Sequence, residues 1–183
     1  MDALELLKSD HDTVRKLFKE FEEAQESEDS RRMSTLAQTI AHELEVHTAI
    51  EEEVFYPEAE RVGGEAEELV KEGVEEHHVV DMLIAEIRDL EPSDETFVPK
   101  MTVLIENVEH HAEEEESELF PKLREAFGDE RLQRIGEALT KAKQRHELDG
   151  VSKEELYEKA RDQDVKGRSR MSKEELAKAV EAS

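Results

Sequence analysis

The sequence contains the stretches HTAIEEEVFYP at residues 47–57 and HAEEEESELFP at residues 111–121, which repeat one pattern. In each stretch a histidine is followed four residues later by a glutamate, and that glutamate is followed six residues later by a proline. Residues four apart share one face of an α-helix, so each His-x-x-x-Glu pair directs two polar side chains to one place. The repeat predicts two long, equivalent helices that carry His47 with Glu51 and His111 with Glu115.

Two further histidines, His11 and His77, precede these pairs by 36 and 34 residues. All four histidines continue the apolar stripe of their helix, at the steps of three and four that mark a buried face. Burying a carboxylate is costly unless a partner neutralises it, and no Lys or Arg falls on these stripes near the histidines. A metal cation is the partner that this pattern favours. Two hairpins related by a pseudo-twofold axis would place four imidazoles and two carboxylates around one centre.

Helical periodicity extends over most of the chain. Four long segments show it, at about residues 2–25, 30–60, 65–90 and 95–127, and a shorter one follows at about 129–146. Gly63-Gly64, Pro92 and Gly128 separate the later segments, and short connections make neighbouring helices antiparallel. The predicted fold is therefore all-α, an up-down-up-down four-helix bundle over residues 1–127, followed by a short fifth helix and linker over residues 128–150.

Composition and charge limit the classes of partner. Charged residues make up 41% of the chain and aromatic residues 4%, while Gly (7) and Pro (4) are few, which is typical of long amphipathic helices around a narrow core. Residues 151–183 carry 8 Lys and Arg and 8 Asp and Glu, so the whole net charge of −25 lies in residues 1–150. Such an acidic body repels nucleic acid and anionic membranes and attracts cations.

Several chemistries and locations are excluded by what the sequence lacks. It has no cysteine, which excludes disulfides, thiolate metal sites and cysteine nucleophiles. The stretch that begins with residues 1–5 lacks a basic segment followed by an apolar run, so no signal peptide is expected. No apolar stretch approaches the ~20 residues of a membrane span. We therefore expect a cytoplasmic protein without membrane contact.

At this point the sequence resembles the hemerythrin-like, or HHE cation-binding, domain over about residues 1–127. The likeness is carried by Asp10-His11-Asp12, by His47 and Glu51 before Phe55-Tyr56-Pro57, by Glu76-His77, and by His111 and Glu115 before Phe120-Pro121. The resemblance implies two iron ions joined by an oxo or hydroxo bridge, for which manganese or zinc are substitutes. It implies six metal ligands: His11, His47, Glu51, His77, His111 and Glu115.

One departure from the family pattern bears on function. Oxygen-carrying hemerythrins have a second histidine one turn before the third-helix ligand, where this sequence has Gly73. If each iron takes about six ligands and both glutamates bridge, roughly one position stays open on each iron. Open positions on both metals favour turnover of dioxygen, hydrogen peroxide or nitric oxide over reversible oxygen carriage. Catalase-like peroxide removal is the first activity to expect.

Two neighbouring residues leave alternatives for the ligand set. His110 and Glu114 form a second His-x-x-x-Glu pair, one residue out of register. His111 is preferred because it stands at the same distance from the following proline as His47 does. Tyr56 is a further candidate for a vacant metal position, but its angle from Glu51 along the helix argues against that role.

The tail, residues 151–183, contains its own repeat. The motif SKEEL occurs at residues 152–156 and 172–176, and each copy is a capping box that predicts the start of a short helix, with residues 164–169 joining the two. The tail resembles the Rho-N-terminal-like or SAP-like helical module, with the likeness carried by Leu156-Tyr157, Ala160, Val165, Gly167-Arg168-Ser169, Met171 and Lys173-Glu174-Glu175-Leu176. In relatives such modules are linked with nucleic acid. Here the tail is neutral, so a docking or stabilising role stands equally beside nucleic-acid binding.

Three functions from different classes follow. The leading hypothesis is a non-haem diiron protein that binds or turns over a small molecule, with a peroxide- or nitric-oxide-metabolising enzyme included. The second is an iron or oxygen sensor, or an iron reservoir, that signals through the C-terminal module. The third is a metal-free helical module that binds nucleic acid through the tail.

Overall fold

The computed structural model describes residues 1–150, 153–163, 165–166, 168 and 171–181. These residues form α-helices and their connections, and no strand occurs among them. The helices are α1 (Ala3–Glu26), α2 (Ser30–Ile50), α3 (Tyr56–Glu60), α4 (Glu65–Arg88), α5 (Phe97–Glu114), α6 (Phe120–Gly150), α7 (Lys153–Asp162) and α8 (Lys173–Glu181). Two π-helical turns join α2 to α3 and α5 to α6 without a break, at Glu51–Phe55 and Glu115–Leu119. The predicted all-α fold is confirmed.

Local sequence signals account for where the helices begin and end. Asp2 caps α1 in a reciprocal capping box, since its carboxylate accepts from the Glu5 N–H at 2.9 Å and the Glu5 carboxylate accepts from the Asp2 N–H at 3.0 Å. Gly128 has φ 66°, a left-handed conformation that glycine adopts without strain, and it divides α6 into two helical parts. The segment predicted from about residue 129 is the second part of α6.

The bundle has two apolar layers with a polar layer between them. One layer surrounds Phe55, Leu123 and Leu132, and the other surrounds Phe21, Ile40 and Met101. Each fully buried side chain of this size contributes about 1.5–3 kcal/mol to stability. The polar layer lies where each long helix passes from one apolar cluster to the other, and it holds the predicted metal ligands.

The second part of α6 packs against one face of the bundle. Its side chains Leu132, Ile135, Leu139 and Ala142 are buried in the same apolar cluster as α1 and α3. Ion pairs add to this contact: Arg131 lies 2.7 Å from Glu58, Lys143 lies 2.6 Å from Asp10, and Arg145 lies 2.6 Å from Glu53. The structure thus extends the packed core beyond residue 127, where the sequence analysis ended the bundle.

The tail contains two short helices, α7 and α8, whose buried residues Ala160, Leu176 and Ala177 form a small cluster of their own. The second predicted capping box is present, because the Glu175 N–H donates to the Ser172 hydroxyl at 3.1 Å and the Ser172 N–H donates to the Glu175 carboxylate at 2.7 Å. Ser152 of the first box, and residues 164, 167 and 169–170 of the predicted connection, lie outside the described residues.

No helix within the described part of the chain is both long enough and apolar enough to cross a bilayer.

Candidate metal centre

The structure brings all six predicted ligands together in the polar layer, each at most 5% exposed. We call His11 and His47 the first half of the centre, and His77 and His111 the second half. The Nε2 atoms are 3.1 Å apart in the first half and 3.2 Å apart in the second. The glutamates lie between the halves. Glu51 Oε2 is 3.3 Å from the Nε2 atoms of both His47 and His77.

The second glutamate spans the other two histidines. Glu115 Oε2 lies 3.5 Å from His11 Nε2 and 3.9 Å from His111 Nε2. Each glutamate therefore faces one histidine of each half, as the pseudo-twofold repeat requires. The residue identities and their inward direction agree with the predicted ligand set, while metal ligation itself stays a prediction.

A carboxylate lies beside the outer nitrogen, Nδ1, of each imidazole. His11 Nδ1 is 3.0 Å from Glu116 Oε1, and His77 Nδ1 is 3.0 Å from Glu52 Oε1. These two carboxylates follow the central glutamates directly in sequence. A carboxylate accepts the Nδ1 proton, which fixes the tautomer and leaves the Nε2 lone pair directed at the centre.

The other two histidines use carboxylates that directly precede His11 and His77. His111 Nδ1 lies 2.7 Å from Glu76 Oε2. His47 Nδ1 lies 3.8 Å from Asp10 Oδ2, which is longer than a hydrogen bond, and neither atom has another hydrogen-bond partner. Asp10, Glu52, Glu76 and Glu116 were missed as functional residues from the sequence. Their adjacency to the ligands at equivalent places in the repeat was the available signal.

The π-helical turns place two aromatic rings at the centre. In such a turn the backbone bonds i to i+5, as the N–H of Tyr56 does to the carbonyl of Glu51, so residue i+5 faces the same way as residue i. The expectation that Tyr56 points away assumed a regular α-helix and is wrong for this turn. A proline two residues after each turn, Pro57 and Pro121, was the sequence signal for irregular helix, because proline lacks the N–H.

Tyr56 contributes a hydroxyl to the second half. The hydroxyl donates to Glu115 Oε1 at 3.1 Å and lies 3.3 Å from His77 Nε2. Gly73 makes room for it, since a Cβ at that position would lie 2.7 Å from the Tyr56 hydroxyl oxygen and 3.4 Å from His111 Cε1. The place of the missing histidine thus holds the tyrosine hydroxyl.

Burial and charge set the protonation of the site. Burial lowers the pKa of His47 to about 4 and, together with the nearby His111, that of His77 to about 4, so both are neutral at pH 7. Burial, with the charge of Glu115, raises the pKa of Glu51 well above its ordinary value. Burial acts the same way on Glu115, but His11 and His111 outweigh it and lower the pKa of Glu115 to about 2.

Unpaired atoms at the centre test whether a metal fits. Both carboxylate oxygens of Glu51 and Oε2 of Glu115 are buried without a hydrogen-bond partner. Where Nδ1 carries the proton, the two facing Nε2 atoms of each half are both acceptors and repel one another. Cations receive all these lone pairs at once, and imidazole nitrogen with carboxylate oxygen is a donor set that suits iron, manganese and zinc. The residues therefore fit a metal pair.

The remaining candidate of the sequence analysis lies outside this centre. His110 is at the surface, with a side chain 63% exposed, and its Nε2 is 3.5 Å from Glu114. His111 alone of this adjacent pair faces inward, which agrees with the register chosen from the repeat.

A small cavity of about 20 Å³ adjoins the four imidazoles. Its further lining includes Val14, Phe18, Leu44, Val80 and Val108. A space of this size holds about one water-sized molecule.

Comparison with known proteins gives the family of this helical bundle. Residues 2–123 match the family model of the hemerythrin HHE cation binding domain. The chain therefore belongs to the hemerythrin HHE family. This membership confirms the resemblance drawn from the sequence and establishes the protein as a cation-binding type.

Individual relatives are distant. A DNA nickase of Nostoc sp. is 29% identical over 133 residues, 73% of this chain and 36% of that protein. An uncharacterized hemerythrin-like protein of Schizosaccharomyces pombe is 26% identical over 117 residues, 63% of this chain and 58% of that protein. This chain thus matches only part of the length of either relative.

A solved structure supports the fold along nearly the whole chain. The crystal structure of a hemerythrin HHE cation binding domain-containing protein from Mycobacterium kansasii superposes with a TM-score of 0.71 at 22% identity. The match covers 98% of this chain and 99% of that one.

Proposed function

We propose that this protein holds two iron ions between His11, His47, Glu51, His77, His111 and Glu115 and turns over a small molecule there. The observation that carries the proposal is the inward set of donor atoms: two pairs of facing Nε2 atoms, and three buried carboxylate oxygens without a hydrogen-bond partner. Manganese or zinc would bind the same donor set, so iron is the ion to test first.

The chain's own residues would prepare the centre for redox chemistry, for which an iron pair supplies the change of oxidation state. His47 and His77 stay neutral at pH 7 and so offer free lone pairs. The carboxylates at Nδ1 orient the imidazoles, and such outer partners typically affect metal affinity about 10–100-fold. Tyr56 keeps its proton, because burial and the charge of Glu115 raise its pKa, and it holds that proton at Glu115.

Hydrogen peroxide is the first substrate to test, with dioxygen and nitric oxide next. The cavity beside the imidazoles is small, about 20 Å³, and much of its lining is apolar, which favours a small uncharged molecule over larger organic substrates. Catalase-like turnover would convert two peroxide molecules into dioxygen and two water molecules. The sequence, with Gly73 in place of a histidine, favours turnover over reversible carriage, and the Tyr56 hydroxyl lies at that place, 3.3 Å from His77 Nε2.

The test combines metal analysis with activity. Protein grown with iron should contain about two irons per chain, show a near-ultraviolet oxo-to-iron absorption band and release dioxygen from peroxide. His47→Ala and Glu115→Ala should lose the iron and the band, whereas the exposed controls His78→Ala and Glu113→Ala should keep both. Colourless, metal-free wild-type protein after growth in iron would overturn the proposal.

One observation supports a second candidate, a sensor that signals through the tail. Helix α6 ends close before α7 in sequence, and its Lys143 contacts Asp10, the residue beside His47. Metal bound only by the folded state stabilises it and everything packed on it. Iron-dependent protection of α6 amides in hydrogen exchange would support this role, and a melting temperature indifferent to iron and chelator would refute it.

A further inference from the structure

A second group of possible metal ligands lies at the surface beside the second half of the centre. It consists of Glu76 on α4 and of His110 and Glu114 on α5, and one ligand atom from each lies within 4.8 Å of the others. His110 Nε2 is 3.5 Å from Glu114 Oε1 and 3.9 Å from Glu76 Oε1. No Lys or Arg of the described residues lies within 4.0 Å of either glutamate, and the basic side chains that contact these glutamates are the imidazoles of His110 and His111.

The pseudo-twofold repeat shows what the equivalent place holds in the first half. Asp10 corresponds to Glu76, because each precedes the lone histidine of its hairpin and faces the other histidine of the same half. The remaining oxygen of Asp10 lies 2.6 Å from the ammonium of Lys143 on α6. A cation therefore already sits at this position in one half.

The second half lacks that lysine and has different neighbours. The residues equivalent to His110 and Glu114 are Val46 and Ile50, which are 5% and 0% exposed beneath the rest of the protein. Where the first half presents two apolar side chains and an ammonium, the second half presents an imidazole and a carboxylate next to the free oxygen of Glu76. In the second half, His110 and Glu114 therefore provide ligands for a cation from solution at the place where the first half has the ammonium of Lys143.

The surface group also connects with the buried centre. A cavity of about 10 Å³ is lined by Glu76 and Glu114 of the surface group and by Tyr56, His111 and Glu115 of the centre. Glu115 is 4% exposed and its Oε2 has no hydrogen-bond partner. Glu76 itself links the two places, because its other oxygen holds His111 Nδ1 at 2.7 Å.

We propose that Glu76, His110 and Glu114 form an outer site that binds a divalent cation and passes it to the buried centre. The destination rests on the function proposed above, while binding at the outer site does not. Three protein ligands at a partly exposed place leave the rest of the coordination to water, so the ion exchanges readily. The acidic body, with net charge −25, draws cations to this face.

Titration of the metal-free full-length chain with Mn²⁺, followed by electron paramagnetic resonance, tests the binding. Wild type should bind about three ions per chain: two tightly in the buried centre and one weakly at the outer site. The double variant His110→Ala/Glu114→Gln should lose the weak ion alone. The matched control Glu75→Gln/His78→Ala removes one imidazole and one charge from an exposed face of α4 and should keep it.

Iron loading tests the route. After mixing with limiting Fe²⁺ in air, where dioxygen oxidises the bound iron, growth of the near-ultraviolet band should be about 10-fold slower in His110→Ala/Glu114→Gln, with the same final amplitude. An unchanged count of weak ions, or an equal loss in the control, would overturn the outer site. An unchanged loading rate would overturn the route. A centre that stays empty while the variant still loses one Mn²⁺ would refute the proposed function and leave the outer site supported.

Discussion

The two halves of the centre have the same imidazoles and opposite surroundings. In the first half, Lys143 pairs with Asp10, and both Arg15 and Lys8 pair with Glu116, at 2.6, 2.8 and 3.3 Å. In the second half no Lys or Arg of the described residues lies within 4.0 Å of Glu52 or Glu76. The same imidazoles thus lie in different electrostatic surroundings, so the repeat in sequence does not make the two halves chemically equivalent.

The aromatic residues differ in the same direction. Phe120 stacks on His11 with centroids 6.1 Å apart, and Tyr56 stacks on His77 at 5.4 Å. The hydroxyl group, which Tyr56 has and Phe120 lacks, lies next to Gly73. The residue of the first half that corresponds to Gly73 is the buried Leu7. The first half is therefore closed by apolar and basic side chains, while the second half has a hydroxyl, two carboxylates that pair with imidazoles rather than with Lys or Arg, and the proposed outer site.

The largest expected effect is the acid sensitivity of the metal-free protein, to which each half contributes one histidine. The pKa values of His47 and His77 are about 4 in the folded chain and ordinarily 6.5. The unfolded chain therefore binds more protons between pH 6.5 and 4, and the free energy of unfolding should fall by a few kcal/mol as the pH drops through that window. Urea unfolding of the metal-free protein, carried out with chelator at several pH values in this window, measures the change in the free energy of unfolding. His47→Gln and His77→Gln should each flatten the slope, and an unchanged slope in both would contradict the assignment.

The two glutamates should respond oppositely to neutralisation, although the repeat makes them equivalent. Glu51 has a raised pKa, so its charge opposes folding at pH 7, and Glu51→Gln should stabilise the metal-free protein by about 1–2 kcal/mol. Glu115 has a pKa of about 2, so its charge favours folding above pH 4.5, and Glu115→Gln should destabilise by a similar amount. If denaturant titrations at pH 7 showed that both substitutions change the free energy of unfolding in the same direction, the two glutamates would be equivalent and this prediction would be wrong.

The space at Gly73 gives a double-mutant test of the second half. In Gly73→Ala the new Cβ meets the Tyr56 hydroxyl, which should cost roughly 2 kcal/mol of stability. The gain in helix propensity offsets about 1 kcal/mol of that cost. Tyr56→Phe removes that hydroxyl, so adding Gly73→Ala to Tyr56→Phe should be close to neutral. Additive effects in the thermodynamic cycle would mean that the two residues do not compete for this space.

The smallest expected effect concerns the lysine of the first half. Lys143→Met should lower the free energy of unfolding by about 1 kcal/mol, because Asp10 is partly buried and loses its ammonium partner. Arg145→Met is the control, since its pair with Glu53 is exposed and worth about 0.5 kcal/mol or less. Thermal unfolding of the two variants compares them, and a larger loss for Arg145→Met would contradict the stated role of Lys143.

Sequence periodicity was sufficient for the helices and for the six inward residues, because both follow from helical spacing and the repeated pairs. It was insufficient for Tyr56, since a π-helical turn changes the direction of residue i+5 without changing the apolar pattern. The carboxylates Glu52 and Glu116 stand in runs of glutamate that look like solvated surface. Lys143 reaches Asp10 across 133 residues, a contact that only the tertiary fold creates.

The most direct test of the metal centre is anomalous diffraction at the iron edge from crystals of iron-loaded protein. Two anomalous peaks should lie inside the bundle, one near the Nε2 atoms of His11 and His47 and the other near those of His77 and His111, with Glu51 and Glu115 between them. An interior without peaks, with the imidazoles bonded to one another or to water, would contradict the account.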